Sequence, residues 1–249
     1  MHFLGYVAEP KKRFPEFVIQ ALAVTALALG AFGRLVYLVL MSIAAKQPTM
    51  TRPPGFFVGT EMPTAGWWEA LWPDPAGVLK AVGARPGMTA IDLCCGDGWF
   101  TLPLAKIVRE VTAIDIDPQM LDVARHRLAE NQVANVRFIA ADACQLPNII
   151  SVPVDFVFMA NAFHGVPDPA RLGSAVRASI GRGGEFAIVN WHQRPREETT
   201  ILGEPRGPSS DLRMSPEQTI ASVAPSGLQL ARQIEVPPYH YAVIFERTE

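Results

Sequence analysis

From residue 76 onward the chain alternates between two rhythms. Short apolar runs bounded by Gly, Pro or Asp predict strands, and apolar residues recurring every three or four positions predict helices. Strands are expected at 89–93, 111–115, 136–140, 154–160 and 185–191, then in GLQLARQIEV (227–236) and YHYAVIFER (239–247). Helices are expected at about 76–84, 99–108, from Pro118, at 170–180 and from Ser215. Asp117 is placed to cap the third of these, with proline at its first position, and Met120, Leu121, Ala124 and Leu128 share one face. Ser215 and Gln218 outline a capping box. GRGG (181–184) is expected to end the helix before it.

Strands that alternate with helices imply an α/β fold with a doubly wound, mostly parallel sheet of seven strands. Ligands of such sheets bind at the strands' carboxyl ends. Only Pro237 and Pro238 separate the two closing strands, a link too short for a parallel crossover, so the last strand should run antiparallel.

The first 75 residues follow neither rhythm. FVIQALAVTALALGAFG (17–33) is apolar for 17 residues, the lower limit for crossing a bilayer. A second apolar run carries it to about 45, with Arg34 inside the stretch. Three readings stand: an apolar N-terminal helix anchored in the membrane, upstream sequence ahead of a start at Met50, or a buried helix. Residues 1–50 are therefore treated as one segment, 51–75 as a Pro- and Trp-rich cap, and 76–249 as the main domain. Trp67, Trp68 and Trp72 either pack that cap onto the domain or form an aromatic lid.

Composition narrows the classes. The net charge of −2 leaves no electrostatic footprint for nucleic acid. Cys94, Cys95 and Cys144 cannot all pair, and adjacent cysteines rarely bridge, which favours a reducing, cytoplasmic setting for the domain. No spaced cysteine pair suggests a metal site.

The densest chemistry lies in IDLCCGDGWFT (91–101). Gly96 and Gly98 follow the first strand and precede a helix, where backbone can approach a ligand closely. A dinucleotide fingerprint needs a third glycine where Thr101 stands, and a P-loop needs Gly-Lys-Ser/Thr. Asp92, Asp97, Asp115 and Asp117 would repel phosphate but tolerate hydroxyls, amines and a sulfonium cation.

Five motifs in order, AIDLCCGDG, AIDIDPQML, AADACQLP, DFVFMANAFH and GRGGEFAIVNW, resemble those of class I S-adenosylmethionine-dependent methyltransferases of the small-molecule type. The resemblance covers about 67–247. It implies S-adenosyl-L-methionine as cofactor, with Asp92, Cys94, Gly96, Asp97 and Gly98 passing under its methionyl part. It implies that Asp115 holds both ribose hydroxyls, that Ile116 and Met120 flank the adenine, and that Asp142 with Ala143 reads its amino group. Asn161 would face cofactor and substrate. The chain departs from the family at Cys94, where a glycine is usual. Asp117 is read first as a helix cap.

The implied reaction is in-line displacement at the methyl group, onto a small-molecule or lipid-like acceptor. Three histidines compete as base: His164, His192 and His240, with His164 preferred as base or orienting donor. The long segment 194–213 carries Glu197, Glu198, Arg206 and Arg213, which either recognise substrate or form a solvated loop. Two other classes remain in view: a dinucleotide-binding oxidoreductase, opposed by the missing glycine, and a membrane-tethered protein that binds the cofactor without catalysis.

Overall fold

The computed structural model describes residues 65–248. The apolar segment at 17–45 and most of the cap lie outside them. Among the described residues, no helix is long and apolar enough to cross a membrane.

The strands are β1 (Thr89–Leu93), β2 (Glu110–Asp115), β3 (Val136–Ala140), β4 (Val154–Ala160), β5 (Ile180–Trp191), β6 (Thr200–Ile201), β7 (Glu204–Pro205), β8 (Gln229–Val236) and β9 (His240–Glu246). Seven of them form one sheet in the order β3-β2-β1-β4-β5-β9-β8. The pairs β3-β2, β2-β1, β1-β4 and β4-β5 are parallel, and β9 runs antiparallel to both β5 and β8. This is the expected doubly wound fold with its last strand reversed. The strand order turns round between β1 and β4, which opens a crevice at their carboxyl ends.

Helices are α1 (Ala65–Leu71), α2 (Pro75–Ala81), α3 (Thr101–Ile107), α4 (Pro118–Glu130), α5 (Leu146–Ile149), α6 (Pro169–Ser179) and α7 (Pro216–Val223). Four of them start alike. Asp74, Asp117, Asp168 and Ser215 each accept a first-turn N–H, and proline follows each cap. The cap supplies an acceptor for an orphan donor, and proline there has no N–H to leave unpaired. Ser215 and Gln218 complete the reciprocal capping box.

Because side chains alternate along a strand, the central strands feed two cores. Phe156 and Phe158 join Ala187, Val189 and Trp191 on one face, beneath Leu79, Leu104 and Trp72. Val157 and Met159 join Phe186 and Ile188 on the other, beneath Leu172, Val176 and Val223. Fully burying each such Val, Leu or Phe contributes about 1.5–3 kcal/mol before entropy is counted. Trp67, Trp68 and Trp72 belong to the first core, so this part of the cap packs onto the domain.

Two segments depart from expectation. GRGG does not precede β5 but lies within it, as an irregular opening where the β4 register jumps from Val154↔Ile180 to Phe156↔Glu185. Gly183 takes φ 73°, a left-handed turn that glycine makes without strain. The stretch 192–213, expected to be irregular, contains the small β6–β7 hairpin at 200–205, pinned by Arg213.

Candidate functional site

The sheet's carboxyl edge collects the candidate residues in strand order. Asp142 follows β3, Asp115 ends β2, Asp92 and the glycine turn close β1, Asn161 follows β4, Asn190 and Trp191 end β5, and His240 opens β9.

Three carboxylates shape the turn. Asp92 is 2 % exposed and accepts a hydrogen bond from the Thr101 hydroxyl at 2.6 Å. Threonine thus replaces the fingerprint's third glycine with a partner for a buried acid. Burial, helped by Asp115 and Asp97, pushes Asp92 up to about 7 despite the Thr101 bond. Asp115 accepts from the Gly96 amide at 2.8 Å and from the Asp117 amide at 2.9 Å. It ties two successive turns together and keeps unused lone pairs for a ligand. Burial also raises it, opposed by those two amides. Asp97 accepts from Arg127 at 2.6 Å and from the Trp99 amide at 3.2 Å, and the same guanidinium lies 5.1 Å from the Trp99 ring centre. Its side chain therefore anchors the turn to α4.

The turn's backbone explains its sequence. Gly96 and Gly98 have φ 54° and 79°. A Cβ on Gly98 would stand 2.9 Å from the Ala124 Cβ, so this glycine is required by packing against α4. Cys94 also takes positive φ, at 60°, where the family's glycine would be at ease. A non-glycine residue there costs about 1–2 kcal/mol. Burial, with the neighbouring carboxylates, raises both the Cys94 and the Cys95 thiols, which keeps them protonated packing groups.

Ile116 and Met120 are half-buried beside the crevice, on either side of the cap Asp117, whose carboxylate accepts from the Gln119 amide at 2.8 Å. Asp142 is exposed and accepts from the Cys144 amide at 2.8 Å, and Ala143 is half-buried. Asn161 combines two signs of function. Its backbone is in the left-handed region at φ 57°, and both polar atoms of its amide are buried without a hydrogen-bond partner among the described residues. Strain and unpaired polarity concentrate where a ligand completes the structure.

The histidines separate by environment. His164 Nδ1 lies 3.2 Å from Asn190 Oδ1, and burial holds the ring below its ordinary value, with Arg213 acting the same way. His192 Nε2 lies 2.8 Å from Glu235 Oε2. His240 is 1 % exposed, lies between Trp72 and Trp191 with ring centres 4.5 and 4.1 Å away, and has no polar partner among the described residues. Burial holds it well below the imidazole range. His126 is exposed on α4.

Of the four insertion residues Glu197, Glu198, Arg206 and Arg213, the two glutamates are exposed and Arg206 is half-buried. Arg213 is buried. It donates to Pro208 O, Thr199 Oγ1 and Arg206 O, and its guanidinium lies 5.1 Å from the Trp191 ring centre. Asn190 was not singled out by the sequence, because its importance lies in a contact with a residue 26 positions away.

Comparison with known proteins agrees with this geometry. Residues 90–184 match the family described as "Methyltransferase domain". A 94-residue segment is 38% identical to a demethylmenaquinone methyltransferase of Staphylococcus aureus, covering 36% of this chain and 38% of that relative. The chain thus spans well under half the length of the curated relatives it matches. A solved S-adenosylmethionine-dependent methyltransferase from Aquifex aeolicus superposes with a TM-score of 0.62 at 25% identity, over 73% of this chain and 93% of that one. One from Mesorhizobium loti shares the fold, with a TM-score of 0.53 at 20% identity over 69% of this chain and 96% of that one. Sheet order and these likenesses together show the fold of the class I S-adenosylmethionine-dependent methyltransferases, with a methyltransferase domain matched over residues 90–184.

Proposed function

We propose that this protein transfers a methyl group from S-adenosylmethionine to a small-molecule or lipid-like acceptor. The observation that carries the reading is the Asp115 carboxylate. It is fixed by two backbone amides at the crevice, with acceptor capacity left for two ribose hydroxyls. No Lys or Arg stands in the turn to hold a pyrophosphate. Asp142 and Ala143 would meet the adenine edge, Ile116 and Met120 its faces, and Asp92 the cationic end. The cofactor supplies an activated methyl group; the chain's residues align the acceptor, exclude water and receive its proton.

Asn161 would orient the acceptor with its two unpartnered amide atoms, and His164 would act as base. The relatives named for demethylmenaquinone support a quinol-like acceptor. A membrane anchor within 17–45 would bring the domain to a bilayer in which such an acceptor dissolves. Incubating the full-length protein with methyl-labelled S-adenosylmethionine and a cell extract tests the reading. Label should pass to a low-molecular-weight or lipid product; label that stays on the cofactor refutes catalysis.

A further inference from the structure

Asn190 is buried on β5, one residue before its end, and its side-chain oxygen meets two nitrogens. The Trp191 backbone amide lies 3.0 Å from Oδ1, and His164 Nδ1 lies 3.2 Å from it. A main-chain N–H can only donate. The atom it meets must accept, so this contact decides which way the Asn190 amide points. The same oxygen faces His164, and only a protonated Nδ1 makes that contact a hydrogen bond. A neutral ring bound in this way carries its lone pair on Nε2. Burial and the Arg213 charge favour the neutral ring, and Asn190 adds no charge of its own.

We propose that Asn190 is a positioning residue for methyl transfer, pinning His164 as the Nδ1–H tautomer so that Nε2 takes the acceptor's proton. This rests on the reading of His164 as base. As the acceptor's nucleophilic atom bonds to the methyl carbon, the carbon–sulfur bond breaks and its electron pair stays on sulfur. The acceptor's proton moves to Nε2, and the positive charge passes from the sulfonium to the imidazolium. Nδ1–H keeps its bond to Asn190 throughout, and that oxygen stabilises the imidazolium.

Two-bond proton–nitrogen correlation spectra of the full-length protein, labelled with nitrogen-15 in histidine, read the tautomer directly. His164 is assigned by the signals that vanish in His164→Gln. The expected wild-type spectrum shows Nδ1 protonated and Nε2 bare at neutral pH. Asn190→Ala should lose that preference. Asn190→Asp should keep it, because a carboxylate also accepts, and should raise the titration midpoint of His164. A wild-type His164 protonated on Nε2 overturns the proposal, and so does an unchanged tautomer in Asn190→Ala. The wild-type spectrum decides even where Asn190→Ala fails to fold. The wrong tautomer would leave methyl transfer itself standing. Full transfer by His164→Gln would instead remove the base reading, with the tautomer assignment intact.

Discussion

Replacing Asp92 by Asn should stabilise the unliganded protein at and above neutral pH while reducing its preference for a cationic ligand. Asp92 is 2 % exposed, and its one strong partner is the Thr101 hydroxyl at 2.6 Å. Burial is the largest cause that lifts it from 3.8 to about 7. Between those values the folded protein holds a proton that the unfolded chain has released. Stability therefore falls as pH rises through that window and is level above it. The full gap corresponds to about 4 kcal/mol, and relaxation around the site should leave roughly 2–4 kcal/mol. Asparagine is neutral throughout and can still accept from Thr101, so it escapes the penalty. Urea midpoints of wild type and Asp92→Asn, compared at about pH 4, 5.5, 7 and 8.5, measure the difference. The variant's advantage should be near zero at the lowest pH, grow to neutrality and then stay constant. A pH-independent difference, or a less stable variant at pH about 8.5, would refute the argument. A sulfonium favours the ionised carboxylate. The wild-type preference for S-adenosylmethionine over S-adenosylhomocysteine should therefore rise through pH about 7 and weaken in Asp92→Asn.

Gly98→Ala should cost about 2–4 kcal/mol, since the new Cβ meets Ala124 at 2.9 Å and φ is 79°; a melting temperature within a degree or so of wild type would contradict it. Asp115→Ala should weaken S-adenosylhomocysteine binding by about 1–3 kcal/mol, read by calorimetry, with unchanged affinity as the contrary result. His240→Leu should matter most in acid. The buried ring is held well below its ordinary 6.5, so wild type loses stability as pH falls below that value, by up to about 1.4 kcal/mol per pH unit. Leucine removes that slope, and parallel stability–pH curves for the two proteins would exclude His240 as its source.

Local signals were the readable ones. β1, β2, β4 and the 185–191 part of β5 are apolar runs buried on both faces, so their own composition announces them, and Asp117–Pro118 and Ser215–Gln218 mark helix starts within four residues. What escaped depends on distant partners. The strand at 180–184 exists because β4 pairs with Ile180 across an irregular register that GRGG alone does not encode. The hairpin at 200–205 depends on one buried guanidinium reaching Thr199 and Arg206. At the site, Asp115 was legible as an acid closing an apolar strand, whereas the role of Asp97 came from Arg127, thirty residues away. Asn190 reads as a strand residue until His164 is folded against it.

The most direct test of the whole account is titration calorimetry on the full-length protein with three ligands: S-adenosylmethionine, S-adenosylhomocysteine and NADH. Saturable one-to-one heat with the sulfur nucleosides, and none with the pyrophosphate cofactor, is the predicted result. Heat with NADH alone would contradict it.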